Sequence, residues 1–348
     1  MAEHDDGAKP NGSRPTIYDV ARVAGVSKSL VSLVIKGDSS VSDQRREAVT
    51  KAIAELGYKP SLFARQLARS STRSIGVLIT DYQNLSYVTV LQGLREIFDE
   101  AGYQVIISDL HHSPNFQEDP VDAFSSMHVD ALVFIAEPAG LRTAGLSVPT
   151  VMIGERESLV PGSDVIFSDD SEGTRLVIEH LASLGHSKIV HLSGVGGIAT
   201  NRRRAFVNEM TKRGLTAPVF GINQPTTEIG GYAGAKELLE SGTRFTAIYS
   251  ANDYMAAGAI SALREAGLEV PRDVSLVGYD NTPISAEYML KLTTVDDMGI
   301  AIGRNAAQRI LDRLAASESS PKRKPKKVLL QPNLVVRDST RALVKARA

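Results

Sequence analysis

Between Thr16 and Gly37 the run TIYDVARVAGVSKSLVSLVIKG gathers a lysine and several serines onto one side of a short helix. Lys28, Ser29 and Ser32 fall together, while Leu30, Val31 and Val34 fall on another side. A cation flanked by small hydroxyls can donate to phosphate oxygens and to base edges, which is the chemistry of a helix laid in a major groove. The same spacing also suits any two-helix hairpin in a small domain.

Other residue groupings could do chemistry, and they are weaker. SGVGGIAT, 193 to 200, is a glycine-rich turn after an apolar run. It lacks the G-x-G-x-x-G spacing and a P-loop lysine–serine pair, so it reads as a flexible loop leading into a helix. His180, His186 and His191 stand near Ser193 and several aspartates. No nucleophile elbow and no metal-ligand spacing accompanies them, so no enzyme, metal site or cofactor is expected.

The elements that must position the polar face follow from local signals. Thr16 precedes an apolar-periodic run with Asp19 three residues on, a capping-box spacing. Ile17, Val20, Ala21 and Ala24 share one helical face, and Gly25 supplies the left-handed residue at the helix end. Ser27 then caps a second helix running through Ile35. Ser42 caps a third, whose buried stripe is Val49, Ala52, Ile53 and Leu56, with Gly57 at its end. Residues 61–69, after Lys59-Pro60, form a basic stretch too short to hold a helix alone in water.

The chain has 348 residues, enough for two or three domains, and 43% of them are hydrophobic. It contains no cysteine, so disulfide and thiolate chemistry are excluded and a reducing cytoplasm is the natural setting. No apolar window long enough to span a membrane occurs. The first 14 residues are polar and acidic, unlike a signal peptide, and read as a disordered leader. The net charge of −1 is unevenly spread. From Pro15 to Arg73 there are ten Lys/Arg against five Asp/Glu, so a basic first segment precedes an acidic remainder.

From Ser74 the pattern becomes β/α alternation. SIGVLITD, YQVIISD, DALVFIA and PTVMIGE form one series of strand-length apolar runs; DVIFSD, KIVHLSG, FTAIYSAND and DVSLVGYD form a second. Runs so rich in Val and Ile suit parallel strands buried on both faces. Two series predict two doubly wound lobes facing each other, with crossings near Phe167, near Leu292 and before Val328. Lobe 1 is expected over about 74–166 and 293–318, and lobe 2 over about 167–292 and 328–340. The basic run SSPKRKPKK, 319 to 327, reads as a solvated loop between a helix and a strand in preference to a nucleic-acid patch.

In this order and spacing, TIYDVARVAGVSKSLVSLVIKG, VSDQRREAVTKAIAELGYKPSLFARQLA, HLASLGHSKIVHLSG, SANDYMAAGA, VPRDVSLVGYDN, LTTV and LVVRDST resemble the lactose/galactose-repressor family of bacterial transcription regulators. The resemblance covers nearly all of Pro15 to Thr340. It implies an N-terminal all-α helix-turn-helix module joined by a hinge helix to a two-lobed α/β periplasmic-binding-protein-like domain with parallel sheets. The implied boundaries are 15–60 for the DNA-binding module, 61–73 for hinge helix and linker, and 74–348 for effector binding and dimerisation. The implied protein is a cytoplasmic homodimer, sometimes a tetramer, most often a repressor. It binds a near-palindromic double-stranded operator and senses a small molecule, often a sugar or nucleobase.

Carried over position by position, Tyr18, Ser27, Ser32, Ser42 and Tyr58 match phosphate contacts, while Lys28 and Ser29 match the positions that discriminate bases. Leu33 departs from the family, which usually has a guanine-reading arginine there; leucine offers only apolar contact or packing at the rim. Ala64 to Ala68 matches the hinge helix, with Leu67 as the minor-groove wedge.

For the effector, Asp81, Glu137, Arg202, Asn252, Asp253 and Asp280 fall just past strand ends or at helix starts. Arg202 matches a ligand-gripping arginine, though Arg202-Arg203-Arg204 also fits a solvated helix face. Asp280 matches a carboxylate that accepts from ligand hydroxyls, or it caps the following loop. Asn252 can equally touch ligand or cap the helix starting at Asp253. Where sugar-binding relatives often place Asn and Asp, this chain has Ala136 and Gly154, beside Glu137 and Glu155-Arg156, which argues against a simple galactoside pocket. Tyr232 reads as core. The second half alone would fit a sugar-transport binding protein, but the basic first module and the absent signal peptide argue against that.

Overall fold

Near-continuous Val/Ile runs separated by amphipathic helices leave few architectures, and the chain forms two layered sheets in one unit and a small helical bundle in another. The computed structural model describes residues 15–36, 38, 40–58, 71–80, 82, 86–110, 119–135, 140–156, 158–316 and 324–343. The leader 1–14, the hinge segment with Ala64 and Leu67, and the sensor candidates Asp81 and Glu137 lie outside the described residues. Two units form, Met1–Thr72 and Arg73–Ala348.

In the first unit, α1 (Ile17–Val23), α2 (Lys28–Lys36) and α3 (Asp43–Leu56) enclose a core of Val20, Ala21, Val31, Val49, Ala52 and Tyr58. The expected start signal is present: the Asp19 carboxylate accepts from the Thr16 N–H at 2.8 Å and from its hydroxyl at 2.7 Å. Gly25 takes φ +65°, which lets the chain reverse between α1 and α2 without the backbone strain an L side chain would bring there. The Ser27 hydroxyl then accepts from the Leu30 N–H at 3.2 Å.

The second unit has two six-stranded sheets. The first contains β1 (Ser74–Ile79), β2 (Gln104–Asp109), β3 (Ala131–Phe134), β4 (Thr150–Ile153), β5 (Asp164–Ser168) and β11 (Lys327–Leu330), in the order β11-β5-β4-β3-β1-β2 and all parallel. The second contains β6 (Ile189–Leu192), β7 (Val219–Phe220), β8 (Ala247–Ser250), β9 (Ser275–Tyr279), β10 (Thr293–Asp296) and β12 (Asn333–Val335), in the order β12-β10-β9-β8-β6-β7. Only β12 runs antiparallel there, against β10, among the described pairings.

Helices cover both faces of each sheet. On the first sheet lie α4 (Tyr87–Glu100), α5 (Pro120–Ser126) and α11 (Gly299–Ala315). The second carries α6 (Asp170–Ser183), α7 (Gly197–Lys212), α8 (Glu228–Glu240), α9 (Asp253–Glu265) and the short α10 (Pro283–Ala286). Strands β1, β3 and β4 are buried at every residue, which is what continuous apolar runs predict for a covered parallel sheet.

Two of the three crossings fall later than expected. β5 pairs along its length with β4 and β11 in the first sheet, so the chain leaves that sheet after Ser168, next to the expected Phe167. β10 belongs to the second sheet, and the return passes through Asp297-Met298 beyond Asp296, not near Leu292. Strand 327–330 also belongs to the first sheet, with the last crossing at Gln331-Pro332. In each case the apolar run continues as a paired strand, and the backbone crosses only where polar or turn-forming residues follow.

Candidate functional site

In the helical unit, α2 turns its apolar side into the core and leaves Lys28 and Ser29 exposed, with Ser32 and Leu33 half-buried. Tyr18 is 63% exposed beside them. Lys28 Nζ donates to the Tyr18 hydroxyl at 3.1 Å and lies 4.7 Å from its ring centroid. Two residues from different helices are thus joined on the surface, and the lysine's charge is held over an aromatic face. Ser27 has its hydroxyl in the α2 cap and Ser42 is exposed at the α3 N-cap. Tyr58 differs from the other candidates: it is only 8% exposed and its ring belongs to the core. The arrangement offers one cationic, hydroxyl-bearing face.

In the α/β unit, the C-terminal ends of both sheets converge on a cleft of about 210 Å³. That is below the roughly 300 Å³ at which drug-sized pockets begin, so the described lining suits a compact ligand. Apolar walls come from Tyr87, Phe167, Val195 and Ile198, and acidic groups from Glu155, Asp170, Asp280 and Asp297. Gly196 takes φ +103° and opens α7, so the SGVGGIAT stretch is a loop into a helix, and Ile198 and Ala199 of that helix face the cleft.

Arg202 anchors the second-lobe wall. Its Nε donates to Asp170 at 3.0 Å, and Nη1 meets Asp280 at 2.8 Å and the Ala251 carbonyl at 2.7 Å. The guanidinium carbon lies 3.6 Å from the Tyr279 ring centroid. Burial opposes the charge, but Asp280 and Asp170 overcome it and hold the guanidinium firmly protonated. Burial pushes the Asp280 pKa up, while Arg202 pulls it down. Arg202 is therefore inside the protein, in contrast to a solvated helix face, and among the described residues its partners meet Nε and Nη1.

Beneath it lies an aromatic layer. His191 stacks 5.2 Å from Phe206 and 4.6 Å from Tyr249, and burial lowers its pKa to about 3. His186 bridges Thr246 at 2.9 Å and Ser275 at 3.0 Å, and His180 meets Thr340 at 2.9 Å. All three histidines are engaged in the packing of the second sheet. Among the described residues no group of His, Asp and Glu is arranged to hold a metal ion.

The other sensor candidates separate. Asn252 lines the cleft, but its carbonyl oxygen caps α9 at the Met255 N–H (2.8 Å) and its amide donates to the Thr226 carbonyl at 2.9 Å. Asp253 faces inward: it accepts from the Thr282 N–H at 2.7 Å, the Thr282 hydroxyl at 2.8 Å and the Thr294 hydroxyl at 2.6 Å. It latches α9 to the β9–α10 turn and to β10.

Four charged residues of the described cleft, Glu155, Arg156, Asp170 and Asp297, were not among the expected contacts. Asp170 and Asp297 stand where the chain crosses between sheets, and the doubled aspartates of SDDS and TVDD were the available signal. Arg156, noted only as a neighbour of Gly154, donates through Nη2 to the carbonyls of Ile135 and Ile153 at the ends of β3 and β4. Gly154, with φ +85°, makes room: a Cβ there would sit 3.3 Å from Arg156 Nε and 3.2 Å from Ile198 Cδ1.

Comparison with known proteins is consistent across both units. Residues 16–61 match the model for bacterial regulatory proteins of the lacI family, and residues 178–340 match that for a periplasmic binding protein-like domain. The HTH-type transcriptional regulator DegA of Bacillus subtilis (strain 168) is 33% identical over 341 residues, covering 95% of this chain and 99% of the relative. The HTH-type transcriptional repressor PurR of Haemophilus influenzae (strain PittEE) is 30% identical over 337 residues, covering 94% and 99%. Among solved structures, the Lac repressor dimer bound to operator and the anti-inducer ONPF superposes with a TM-score of 0.79 at 29% identity, covering 95% of this chain and all of that one.

Proposed function

The chain belongs to the lacI family of bacterial regulatory proteins, and from that premise we propose how its own residues divide the work of a repressor. It is a DNA-binding transcriptional regulator and not an enzyme; it binds operator DNA as a dimer, and its periplasmic-binding-protein-like domain takes a small-molecule effector. Residues 15–60 serve as the DNA-binding module, 61–73 as hinge helix and linker, and 74–348 as the effector-binding and dimerising part. The protein acts in the cytoplasm; no helix among the described residues is long and apolar enough to cross a membrane.

The observation that carries the DNA assignment is the exposed Lys28–Ser29 face of α2. Lys28 and Ser29 read base edges in the major groove, with Leu33 adding an apolar contact. Tyr18, Ser27, Ser32 and Ser42 hold phosphates and fix the register. Tyr58, with its ring in the core, acts on the DNA chiefly by fixing the C-terminal end of α3. Ala64 and Leu67 are assigned to the minor groove by family position alone. A near-palindromic site follows from two modules related by the dimer axis, with half-sites about one helical turn apart.

The effector is a compact, hydroxyl-rich metabolite of the sugar class. Glu155, Asp170, Asp280 and Asp297 supply acceptors for hydroxyls, and the apolar walls suit the CH faces of a ring. Both guanidinium groups of the cleft, Arg156 and Arg202, are already bonded within the protein, which disfavours an anionic ligand. Asp81, Glu137 and Asn252 are assigned as contacts from their places just past strand ends; Asp253 supports the site from behind.

Selection of bound genomic fragments tests the regulator assignment. A protected pseudo-palindrome bound by a dimer, with affinity falling steeply as salt rises, is the expected result. Sugars taken from the functions encoded beside the selected fragments then test the effector by calorimetry on the full chain. Binding by anionic metabolites alone would overturn the sugar assignment.

A further inference from the structure

The lysines at the start of β11 have no part in either site. The chain enters that strand through Lys324-Pro325-Lys326-Lys327, and all four residues are exposed. None of the three lysines has an ion-pair partner among the described residues. The backbone beneath them is fixed. The Lys326 N–H donates to Asp164 at 2.7 Å, and the Lys326 carbonyl accepts from the Val165 N–H at 2.9 Å. Asp164 is fully buried and neutralised by Arg309 at 3.2 Å and Arg313 at 3.6 Å. An anchored backbone therefore presents three unneutralised ammonium groups.

Where they stand is set by the sheet. Its strands are all parallel, so their first residues share one edge. Ile75 pairs with Ala131, Leu132 with Thr150, Val151 with Asp164 and Val165 with Lys327. Carried across, that register brings Lys324 level with Ile75. Four strand spacings, about 19 Å, separate β11 from β1. At Ser74, the residue before Ile75, the polypeptide arrives from the helix-turn-helix unit. The lysines thus lie on the edge of the α/β unit by which it is tethered to its DNA-binding module.

We infer that Lys324, Lys326 and Lys327 make an accessory contact to DNA backbone phosphates, so that the α/β unit adds to operator affinity directly. The inference rests on the reading of the chain as an operator-binding protein. Lysine is a point charge on a flexible stem, suited to neutralising phosphates and not to reading bases. The intervening Pro325 has no N–H to pair and keeps the approach extended. A merely solvated loop would show the same exposure; its place on the tethered edge is what separates the two.

The test uses the full chain and two DNA fragments of equal length, one selected from the genome and one scrambled. Dissociation constants are measured between about 50 and 200 mM salt, where each neutralised phosphate contributes roughly 0.9 to the logarithmic slope. The triple substitution Lys324→Gln, Lys326→Gln, Lys327→Gln removes three cations from each protomer of the dimer and should make the slope shallower by about 5 on both fragments. Discrimination between the fragments should stay as in the wild type, and the triple Lys→Arg variant should keep the wild-type slope. Thermal melting is expected unchanged, because the bond to Asp164 comes from the backbone. An unaltered slope, or a loss confined to the selected fragment, overturns the inference. A wild-type chain that binds neither fragment overturns the operator reading, and this inference with it.

Discussion

Arg202 and Asp280 meet at 2.8 Å with side chains only 6% and 7% exposed, so α7 and the end of β9 are joined by a charge pair nearly out of water. Asp170, at the first residue of α6, takes the Nε of the same guanidinium. Three elements of the second sheet therefore converge on one cation at the wall of the cleft. A buried pair of this kind adds little over a well-packed apolar pair, but removing one member strands the other.

Arg202→Ala should therefore cost more than ligand contact. With Asp280 and Asp170 left uncompensated, the full chain should lose about 3–5 kcal/mol in urea unfolding. Adding Asp280→Asn to Arg202→Ala should return part of that loss, because the stranded charge is gone. At temperatures where the variant remains folded, it should bind DNA yet not respond to effector. A variant as stable as wild type would show that water, and not Asp280, compensates the arginine.

The latch at Asp253 predicts the sign of a pH effect. Burial, reinforced by Asp280, raises its pKa from 3.8 to about 7. Between those values the folded chain holds a proton that the unfolded chain has released. Stability should consequently fall as pH rises from about 4 to about 7, by at most roughly 1.4 kcal/mol per pH unit for this one group. Burial raises Asp280 and Asp297 too, in the same direction. Urea midpoints across this range should decline, and Asp253→Asn should make the decline shallower. The slope is the readout, since the amide also disturbs the bonds from Thr282 and Thr294. Midpoints that rise with pH in wild type and variant alike would sink the assignment.

Why the helical unit was legible and the cleft only partly so has a physical basis. Thr16, Asp19, Gly25, Ser27 and Gly57 act on neighbours within a few residues, so their roles are written locally. Strand identity was equally local, because a parallel strand covered on both faces must be apolar throughout. The crossings were not local. Whether DVIFS joins the first sheet or the second depends on its pairing with Thr150–Ile153 and with Lys327–Leu330, the latter some 160 residues away in sequence. The cleft residues at those crossings, Asp170 and Asp297, were missed for the same reason. The role of Arg156 is not legible in sequence because its partners are the backbone carbonyls of Ile135 and Ile153, which no side-chain pattern announces.

The α8–α9 contact predicts a sharp intolerance. A Cβ at Gly258 would stand 1.9 Å from the Glu228 carbonyl oxygen and 2.6 Å from the Tyr232 nitrogen, both backbone atoms. Alanine gains roughly 1 kcal/mol of helix propensity over glycine, so an exposed site would be stabilised. Here the two helices would have to part, and Gly258→Ala should lower stability by at least the 1–3 kcal/mol typical of overpacking. A lower melting temperature for the full chain is expected, and a rise would mean the helices are not held this close.

The surface pair Lys28 and Tyr18 predicts how operator reading fails. In the free protein Lys28 Nζ is shared between the Tyr18 hydroxyl at 3.1 Å and the ring face at 4.7 Å. Tyr18 is largely exposed, so this contact is worth only about 0.5–1 kcal/mol and is readily exchanged for a base edge. What it supplies is direction, since a lysine held over the ring spends less of its time swept out into water. Lys28→Ala should then lose about 1–3 kcal/mol of discrimination between the operator and a single-base variant, with a smaller effect on scrambled DNA. Tyr18→Phe keeps the ring but removes the hydroxyl, and should weaken operator and scrambled DNA by a similar, smaller factor, as loss of a phosphate contact does. Titrations of both variants against operator, single-base variants and scrambled DNA separate the two roles. Equal losses on all three DNAs for Lys28→Ala would make Lys28 a phosphate contact, and would leave Ser29 and Leu33 as the readers on this face.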